Sequence, residues 1–555
     1  MATDFTTSLT VAPPTIPALG GIPNEIAERI VSSITRIRDL KSLNETCRDL
    51  RRLTLAALYK HVYIMEDELS PAAFDSLSNP GNLGLEEIRD VTVIRRRDRM
   101  PSRYNWGSFF YHMNDHKLQD IRVIGRSCQV VDSSLFVSHI LWQRNLKHLD
   151  ICCRYNMQIN ALQLRPTYTA LTALTLSCCS CNSTEDNEHL AAIMAEPTNL
   201  RSLSINGIKD SCSALIEILK PLYNAGTRLR GLSSFSLSNL NGSAPEIIEA
   251  LVLLNLVLDF SDIQTLIIES VPGSDFILGV LKICQEQDPK LKNLSIYGYN
   301  DGIDDLEALL STLSMLERLI MTPVFIKPPV CTEAHGLSTL GKAIKNTGSG
   351  VPNIRTLCFD VRAWKTMSGR FQDYPDFEPV AKLLRTLPLL EELWINFPIV
   401  DKSFYFKAEE RMETFLRMIA EAPRLRLLCN LRSNQYIPVS LLPECELSKF
   451  WGNDPWLHHT ATTMLQRANT SNKALKVIAF GYLPCFDCQG RIRAFVRRPK
   501  LLATGQFETI VEEISAKELF LEEDFYFWDS FKNFEFEEQN APRTTTSEEM
   551  DIDAT

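Results

Sequence analysis

Apolar residues recur along most of the chain in one six-residue unit, with apolar side chains at positions 1, 4 and 6. The second half of the unit alternates, which is the period of a β-strand with one buried face. Clear copies begin at Leu146, Leu171, Leu200, Leu232, Ile263, Leu291, Leu316, Ile354, Leu390 and Leu475, and weaker copies at Ile88, Leu118 and Leu425. Successive copies start 25 to 50 residues apart. The spacing predicts an elongated repeat protein.

The segments between these units have the period of a helix. Their apolar residues recur at three and four, as in the stretches that begin at Leu215, Ile247, Phe276, Leu306 and Pro379. One strand and one helix cannot bury both apolar faces alone, so we predict an α/β solenoid whose stacked units form a curved parallel sheet. The alternative is an α/β protein without a solenoid.

The repeats resemble those of leucine-rich-repeat proteins, whose unit is usually about 20–29 residues long. The chain departs from that family in its longer, irregular spacing. The Asn or Cys that the family places after the strand occurs convincingly only as Cys179. We therefore expect irregular turns and leave the exact number of repeats open.

Residues 22–64 precede the repeats and predict three short helices. Ile26, Ile30 and Ile34 fall on one face of the first helix, and Asp39 is placed to cap a second. The second stripe comprises Leu40, Leu43, Cys47 and Leu50, and a third helix runs through Leu55 and Leu58. So small a module hardly encloses a core, so part of its apolar surface should contact a partner.

This segment resembles an F-box of the form common in fungal proteins. The resemblance rests on Ile-Pro-x-Glu-Ile from Ile22, Asp39 with Leu40, and Cys-Arg-x-Leu-Arg from Cys47. It implies binding to the adaptor subunit of a cullin-RING ubiquitin ligase. The adaptor-binding positions it implies are Ile22, Pro23, Ile26, Ile30, Leu40, Leu43, Cys47 and Leu50. Tyr59 lies where many members have Trp, and a helical cap on the first repeat is the alternative.

Alternate residues of each strand unit should point away from the helices and form a surface for a protein substrate. The early units place small hydroxylic side chains there, and the unit at Leu146 places His148 and Asp150. Tyr, Trp and Arg often dominate binding at interfaces. We therefore predict substrate contacts at Tyr297, Arg318, Asp360 and Trp394, with burial of Trp394 by the chain's own tail as the alternative.

Composition narrows the class of protein without changing this interpretation. The 555 residues are 45% hydrophobic and 23% charged, with 15 cysteines and a net charge of −10. Most of that charge lies after residue 506, so the nearly neutral body indicates no nucleic-acid partner. We expect free thiols and a cytoplasmic or nuclear protein without a membrane segment. The predicted organisation is a disordered leader (1–21), an F-box (22–64), a linker (65–85), repeats (86–500) and an acidic aromatic tail (501–555) whose end is disordered.

Motifs for chemistry are weak. Gly336 to Ala343 nearly spells a phosphate-binding loop, but Ala343 replaces the Ser or Thr that would hold magnesium. Cys485 and Cys488 form a CxxC without a second pair, and Cys153 and Cys178 occupy equivalent repeat positions. We predict a non-catalytic protein without metal or cofactor. The expected function is that of a substrate receptor of a ubiquitin ligase. A scaffold that acts without ubiquitin transfer and a nucleotide-binding protein are the alternatives.

Overall fold

The structure is a computed structural model that separates into two compact units. The first comprises residues 1–150 and 157–171, and the second comprises 151–156 and 172–555. The residues described are 24–34, 37–46, 48–65, 69–95, 104, 106–113, 117–125, 143, 145–152, 168–177, 184–206, 212–238, 240, 242–269, 273–287, 290–299, 313, 315–323, 353–359, 378–395, 413, 416–432, 455–482, 492–501 and 506–514.

The first unit begins with three helices, α1 (Asn24–Ser33), α2 (Ile37–Thr46) and α3 (Arg48–Tyr59). The buried Thr54 hydroxyl donates to Asn44 Oδ1 at 3.0 Å and so joins α3 to α2. Two details differ from the prediction. Asp39 lies in the first turn of α2 instead of capping it, and Leu50 lies on α3 because the second helix ends at Thr46.

Four parallel strands follow and pair in chain order, and the fourth belongs to the first unit up to Asp150. They are β1 (His61–Met65), β2 (Asp90–Arg95), β3 (Asp120–Gly125) and β4 (His148–Cys152). The segment 65–85, which we predicted as a linker, contains the helix α4 (Pro71–Leu77). A 3-10 helix (Leu83–Glu87) and the helix α5 (Trp106–Tyr111) complete this unit's described elements. Trp106 packs edge to face against both Phe74 and Phe109, and the three rings form the aromatic core of this unit.

The second unit continues the strand-helix alternation. Its strands are β5 (Ala173–Ser177), β6 (Ser202–Asn206), β7 (Ser234–Ser238), β8 (Thr265–Glu269), β9 (Asn293–Tyr299), β10 (Arg318–Pro323), β11 (Thr356–Phe359), β12 (Glu392–Ile395), β13 (Leu427–Arg432), β14 (Val477–Tyr482), β15 (Ile492–Leu501) and β16 (Phe507–Ile514). Its helices are α6 (Thr184–Ala195), α7 (Cys212–Asn224), α8 (Ala244–Val257), α9 (Gly273–Glu286), α10 (Glu378–Arg385) and α11 (Pro455–Ser471).

Strands β5 to β14 are parallel and pair in chain order, whereas β14, β15 and β16 are antiparallel. The α/β class and the parallel sheet with intervening helices are therefore confirmed. The basic run at 491–500 and the start of the predicted tail form the two strands that end the described sheet.

Every predicted unit forms a strand that begins at its third residue, from β2 to β14. The unit at Leu200 shows the resulting division of side chains: Leu203 and Ile205 are buried, whereas Ser202 and Ser204 on the other face are half-exposed. We name the face that carries positions 3 and 5 of each unit the open face.

A buried residue three positions before the unit is a second repeated feature, described for ten of the thirteen units, and the sequence pattern had not indicated it. In the unit at Ile263, the backbone N–H of Ile263 donates to the carbonyl of buried Phe260 at 3.1 Å. The corresponding residues in other units are Leu85, Gln143, Tyr168, Leu313, Leu387, Ala422 and Asn472. This turn brings each helix end back to the start of the next strand.

Close contact between Tyr59 and Gly84 joins α3 to the 3-10 helix and gives our first testable prediction. A Cβ atom at Gly84 would lie 2.5 Å from the Tyr59 ring. We expect Gly84→Ala to destabilise the protein by about 1–3 kcal/mol through overpacking, as measured by urea denaturation. Tyr59→Leu should relieve part of that cost, so the double variant should lose less than the sum. Additive losses would contradict the contact.

Candidate functional site

The first candidate surface is one face of α1. Ile26 and Ile30 lie one turn apart and expose 47% and 45% of their surface, while Ala27 and Val31 of the same helix are buried. The helix therefore packs on the first unit through its smaller apolar residues and leaves the two isoleucines outside. An apolar pair of this kind costs free energy in water unless a partner covers it.

The other residues predicted for this surface have different environments. Leu40 and Leu50 are each 6% exposed, so they support α2 and α3 from inside and do not present surface. Leu43 is half-exposed. Ile22, Pro23 and Cys47 lie outside the described residues. Only Ile26 and Ile30 are therefore shown as exposed members of the predicted set.

The second candidate surface is the open face from β5 to β8. Hydrogen-bonded register aligns position 5 of four consecutive strands as Thr175, Ser204, Ser236 and Ile267. All four side chains are half-exposed. The position-3 row beside it contains Ala173, Ser202, Ser234 and Thr265, which are half-exposed as well. This predominantly hydroxylic strip offers hydrogen-bond donors and acceptors without net charge.

One carboxylate borders this strip. Glu269 ends β8 and lies in register with Ser238 on one side and Tyr297 on the other. The side chain is half-exposed, and partial burial of its carboxyl group raises the pKa of Glu269 from 4.5 to about 7. The side chain therefore changes charge near neutral pH, next to the surface that a partner would contact.

At position 5 the open face becomes buried from β9 onward, where Ser295 is 3% exposed, and at position 3 it becomes buried from β10 onward. Trp394 is completely buried in a row with Cys358 and Cys429, which are also fully buried. Arg318 is 6% exposed and begins a second buried row with Thr356. Removal from water raises the pKa of the Cys429 thiol well above its ordinary value.

These positions correct the prediction that Arg318 and Trp394 present their side chains to a substrate. Both lie on the expected face, but the face is covered there. Pairing of β9 with β10 places the backbone of Tyr297 beside Thr322. The Tyr297 side chain and the whole of Asp360 lie outside what the structure describes. In the second unit, the hydroxylic strip between β5 and β8 is the described part of the face whose position-3 and position-5 rows are both half-exposed.

A row of four polar residues crosses the open face of the first unit and was recognised from the sequence only at His148. Register places His61, Asp90, Asp120 and His148 side by side on β1 to β4. His61 Nδ1 contacts Asp90 Oδ2, and His148 Nδ1 lies 2.8 Å from Asp120 Oδ2. Each aspartate thus has a histidine on its outer side. Asp90, Asp120 and His148 each occupy position 3 of a predicted unit, whereas periodicity gave no signal for His61, because β1 has no six-residue unit.

The described part of the chain has neither a cluster of metal ligands nor a membrane-spanning helix. Within it, no group of three or more His, Cys, Asp or Glu side chains is arranged to hold a metal ion. No helix there is both long and apolar enough to cross a bilayer. Cys212, Cys284 and Cys429 are buried free thiols, and Cys358 is buried as well. The loop at 336–343, Cys153, Cys178, Cys179, Cys485 and Cys488 lie outside the described residues.

Comparisons with known proteins give no family. No family model matches the sequence, and no curated protein matches it. Among solved structures, the TLR13–ssRNA13 complex matches at 11% identity and a TM-score of 0.31, over 64% of this chain and 42% of that one. The leucine-rich repeat-containing protein LegL7 from Legionella pneumophila matches at 12% identity and a TM-score of 0.33, over 69% of this chain and 100% of that one.

The match to TLR13 thus spans less than half of that chain. The solenoid assignment for the present chain rests on its own strand order, parallel register and repeated hydrogen bonds. Such a repeat architecture provides an extended surface typical of proteins that bind other proteins.

The raised pKa of Glu269 gives a testable pH dependence. The folded state holds the proton more tightly than the unfolded state, so the free energy of unfolding should fall as pH rises from about 4.5 to about 7. Glu269→Gln removes this dependence and should stabilise the protein at pH 8 by roughly 1–3 kcal/mol relative to the native chain. Urea denaturation at pH 5 and pH 8 measures both. Parallel stability curves for the two proteins would contradict the burial of the carboxyl group.

Proposed function

We propose that this chain is the substrate-recognition subunit of a cullin-RING ubiquitin ligase. Its N-terminal helices bind the ligase adaptor and its repeats hold a protein substrate. The observation that carries the proposal is the exposed pair Ile26 and Ile30 on α1, within a sequence that resembles an F-box. The resemblance says which partner to expect, and the exposure supports it because these two positions are available for contact.

The three helices are suited to this role because apolar side chains and a hydrogen bond already fill the space between them. Leu40 and Leu50 are buried and the Thr54 hydroxyl joins two helices, so the module keeps its shape without a partner. A preformed surface loses little conformational entropy on binding. The exposed isoleucines are then free to supply apolar area to the interface.

No bond chemistry is needed in this chain under the proposal. The N-terminal helices tether the protein to adaptor and cullin, and the repeats retain the substrate. The resulting high local concentration lets a ubiquitin-conjugating enzyme modify substrate lysines. The hydroxylic strip from β5 to β8 is the proposed substrate surface, because both rows of the open face are half-exposed there, whereas position 5 is buried from β9 and position 3 from β10.

A pull-down of the tagged full-length chain tests the adaptor surface. We expect the double variant Ile26→Asp/Ile30→Asp to recover adaptor and cullin at a level lower by about tenfold or more. The reason is that two charged side chains would have to be buried in an apolar contact. Leu83→Asp is the matched control, because Leu83 is 70% exposed in the same unit. Circular dichroism should show that both variants fold. Unchanged adaptor recovery by the double variant would overturn the proposal, and recovery of adaptor without cullin from the native chain would favour a scaffold role.

The substrate surface is tested by a separate substitution. Ser236→Arg places a large charged side chain in the middle of the hydroxylic strip and should reduce recovery of co-purifying substrates by about tenfold while adaptor recovery stays unchanged. Glu217→Arg, on the exposed side of α7, is the control. Quantitative mass spectrometry of the recovered proteins measures the effect. If the same proteins remain at the same level with Ser236→Arg, substrates bind elsewhere.

A further inference from the structure

Helix α8 carries an apolar ridge on its outer side. Ile248, Val252 and Leu256 are 63%, 52% and 48% exposed, and they follow one another at a spacing of four. The ridge is about 12 Å long, since a helix rises about 1.5 Å per residue. Tyr223 of the adjacent α7 is 50% exposed. These four residues are half of the exposed large apolar side chains in the described part of the chain.

Among the described residues of the neighbouring helices, Tyr223 is the only exposed large apolar side chain. Their exposed positions include Glu217 on α7, Lys282 and Glu286 on α9, and Glu188 on α6. Helix α8 is also apolar on its inner side, where Ala250, Leu253, Leu254 and Val257 are buried. A surface helix of a monomeric protein normally turns a polar face to water. The outer face of α8 therefore has the composition of an interface.

Several contacts hold the ridge in place. The Ser243 backbone N–H donates to Glu246 Oε2 at 2.7 Å and caps the start of the helix. Glu249 forms an ion pair with Lys220 at 3.1 Å. Near the end of α8, the Asn255 Oδ1 atom accepts a hydrogen bond from Gln287 Nε2 at 2.9 Å. The apolar side chains are thus presented on a well-anchored helix.

We infer that this ridge binds a second copy of the chain, with the two α8 helices antiparallel and a twofold axis at Val252. Antiparallel pairing places Ile248 near Leu256 of the second copy and Val252 on Val252 of the second copy. It also places Glu249 opposite Asn255 of the second copy, so no like charges meet. Parallel pairing would instead oppose the two Glu249 carboxylates, which is unfavourable. Antiparallel helix dipoles also attract each other.

The spacing of the ridge sets the geometry of the contact. Ridges formed by residues four apart pack against each other at a crossing angle of about 50° and an interaxial distance of about 8–10 Å. With Cα atoms about 2.3 Å from each helix axis, the two Val252 Cα atoms come within about 6 Å of each other. Ile248 lies about 6 Å along the helix from the axis of symmetry, and hence about 12 Å from its own copy.

The size of the patch indicates a reversible dimer. Four half-exposed side chains supply a few hundred Å², below the roughly 800 Å² per partner of a standard stable interface. Polar residues of α7 and α9 complete the rim. We therefore expect association that depends on protein concentration.

Sedimentation velocity of the full-length chain across a range of concentrations tests self-association. The native chain should shift towards a dimer as concentration rises, and Val252→Glu should weaken association by about tenfold or more, because two carboxylates would meet at the axis. Met315→Glu is the control, since Met315 is 48% exposed and lies away from α8 in sequence. A native chain that stays monomeric throughout would overturn the inference.

Cysteine cross-linking tests the symmetry and does not depend on whether Val252→Glu folds. Under mild oxidation, Val252→Cys should form a reducible dimer beyond the level seen with the native chain, because the Cα separation falls in the range that disulfides need. Ile248→Cys alone should not, because its two copies are too far apart. Equal cross-linking of the two variants, or none from Val252→Cys, would overturn the twofold arrangement. Loss of adaptor binding in the earlier pull-down has no bearing on either result.

Discussion

A pair of backbone hydrogen bonds joins successive strands of the sheet, each strand being one rung of the solenoid. The carbonyl at position 2 of a unit accepts from the N–H groups of positions 2 and 3 of the following unit, as Arg201 does from Ser233 at 2.8 Å and Ser234 at 2.9 Å. The same pair recurs from Lys60 to Gln119 in the first unit and from Thr172 to Arg426 in the second. Because an unpaired buried backbone group costs about 1–3 kcal/mol, a slip by one residue is disfavoured at every rung. The straight rows on the open face follow from this constraint.

Side chains at position 2 lie outside the core and add charge pairing along the same edge. From β9 to β13 they alternate in sign: Lys292, Glu317, Arg355, Glu391 and Arg426. Three ion pairs are formed, Lys292 with Glu317 at 3.6 Å, and Glu391 with Arg355 at 2.9 Å and with Arg426 at 3.7 Å. Exposed pairs contribute little individually. The alternation of their charges matters more, because adjacent strands lie about 4.8 Å apart and like charges at position 2 would repel each other when the repeats stack.

The sequence was sufficient to predict the features of the fold that depend on local periodicity. Strand positions and the inward direction of residues such as Leu203 follow from alternation, because only one face of each strand meets the helices. The buried residue before each unit was missed because its identity varies from Phe260 to Gln143 and Asn472. A buried amide there is tolerated when the backbone satisfies it, as when Asn472 Nδ2 donates to the Ala422 carbonyl at 2.8 Å. Side-chain type alone does not indicate such a position.

Exposure divides the predicted site residues into those that present their side chains at the surface and those that do not. Trp and Arg are favoured at interfaces because they combine large apolar area with polar groups, but the same properties let them fill a covered face, as Trp394 and Arg318 do. Ile26 was predicted as a contact from its place in a resemblance, and the packing of α1 through Ala27 is what leaves it outside. Val252 was part of an apolar stretch that predicted only a core helix. An apolar residue on a helix faces the core only if a neighbouring repeat packs against that side of the helix. The packing between repeats decides this, and the periodicity within one repeat does not indicate it.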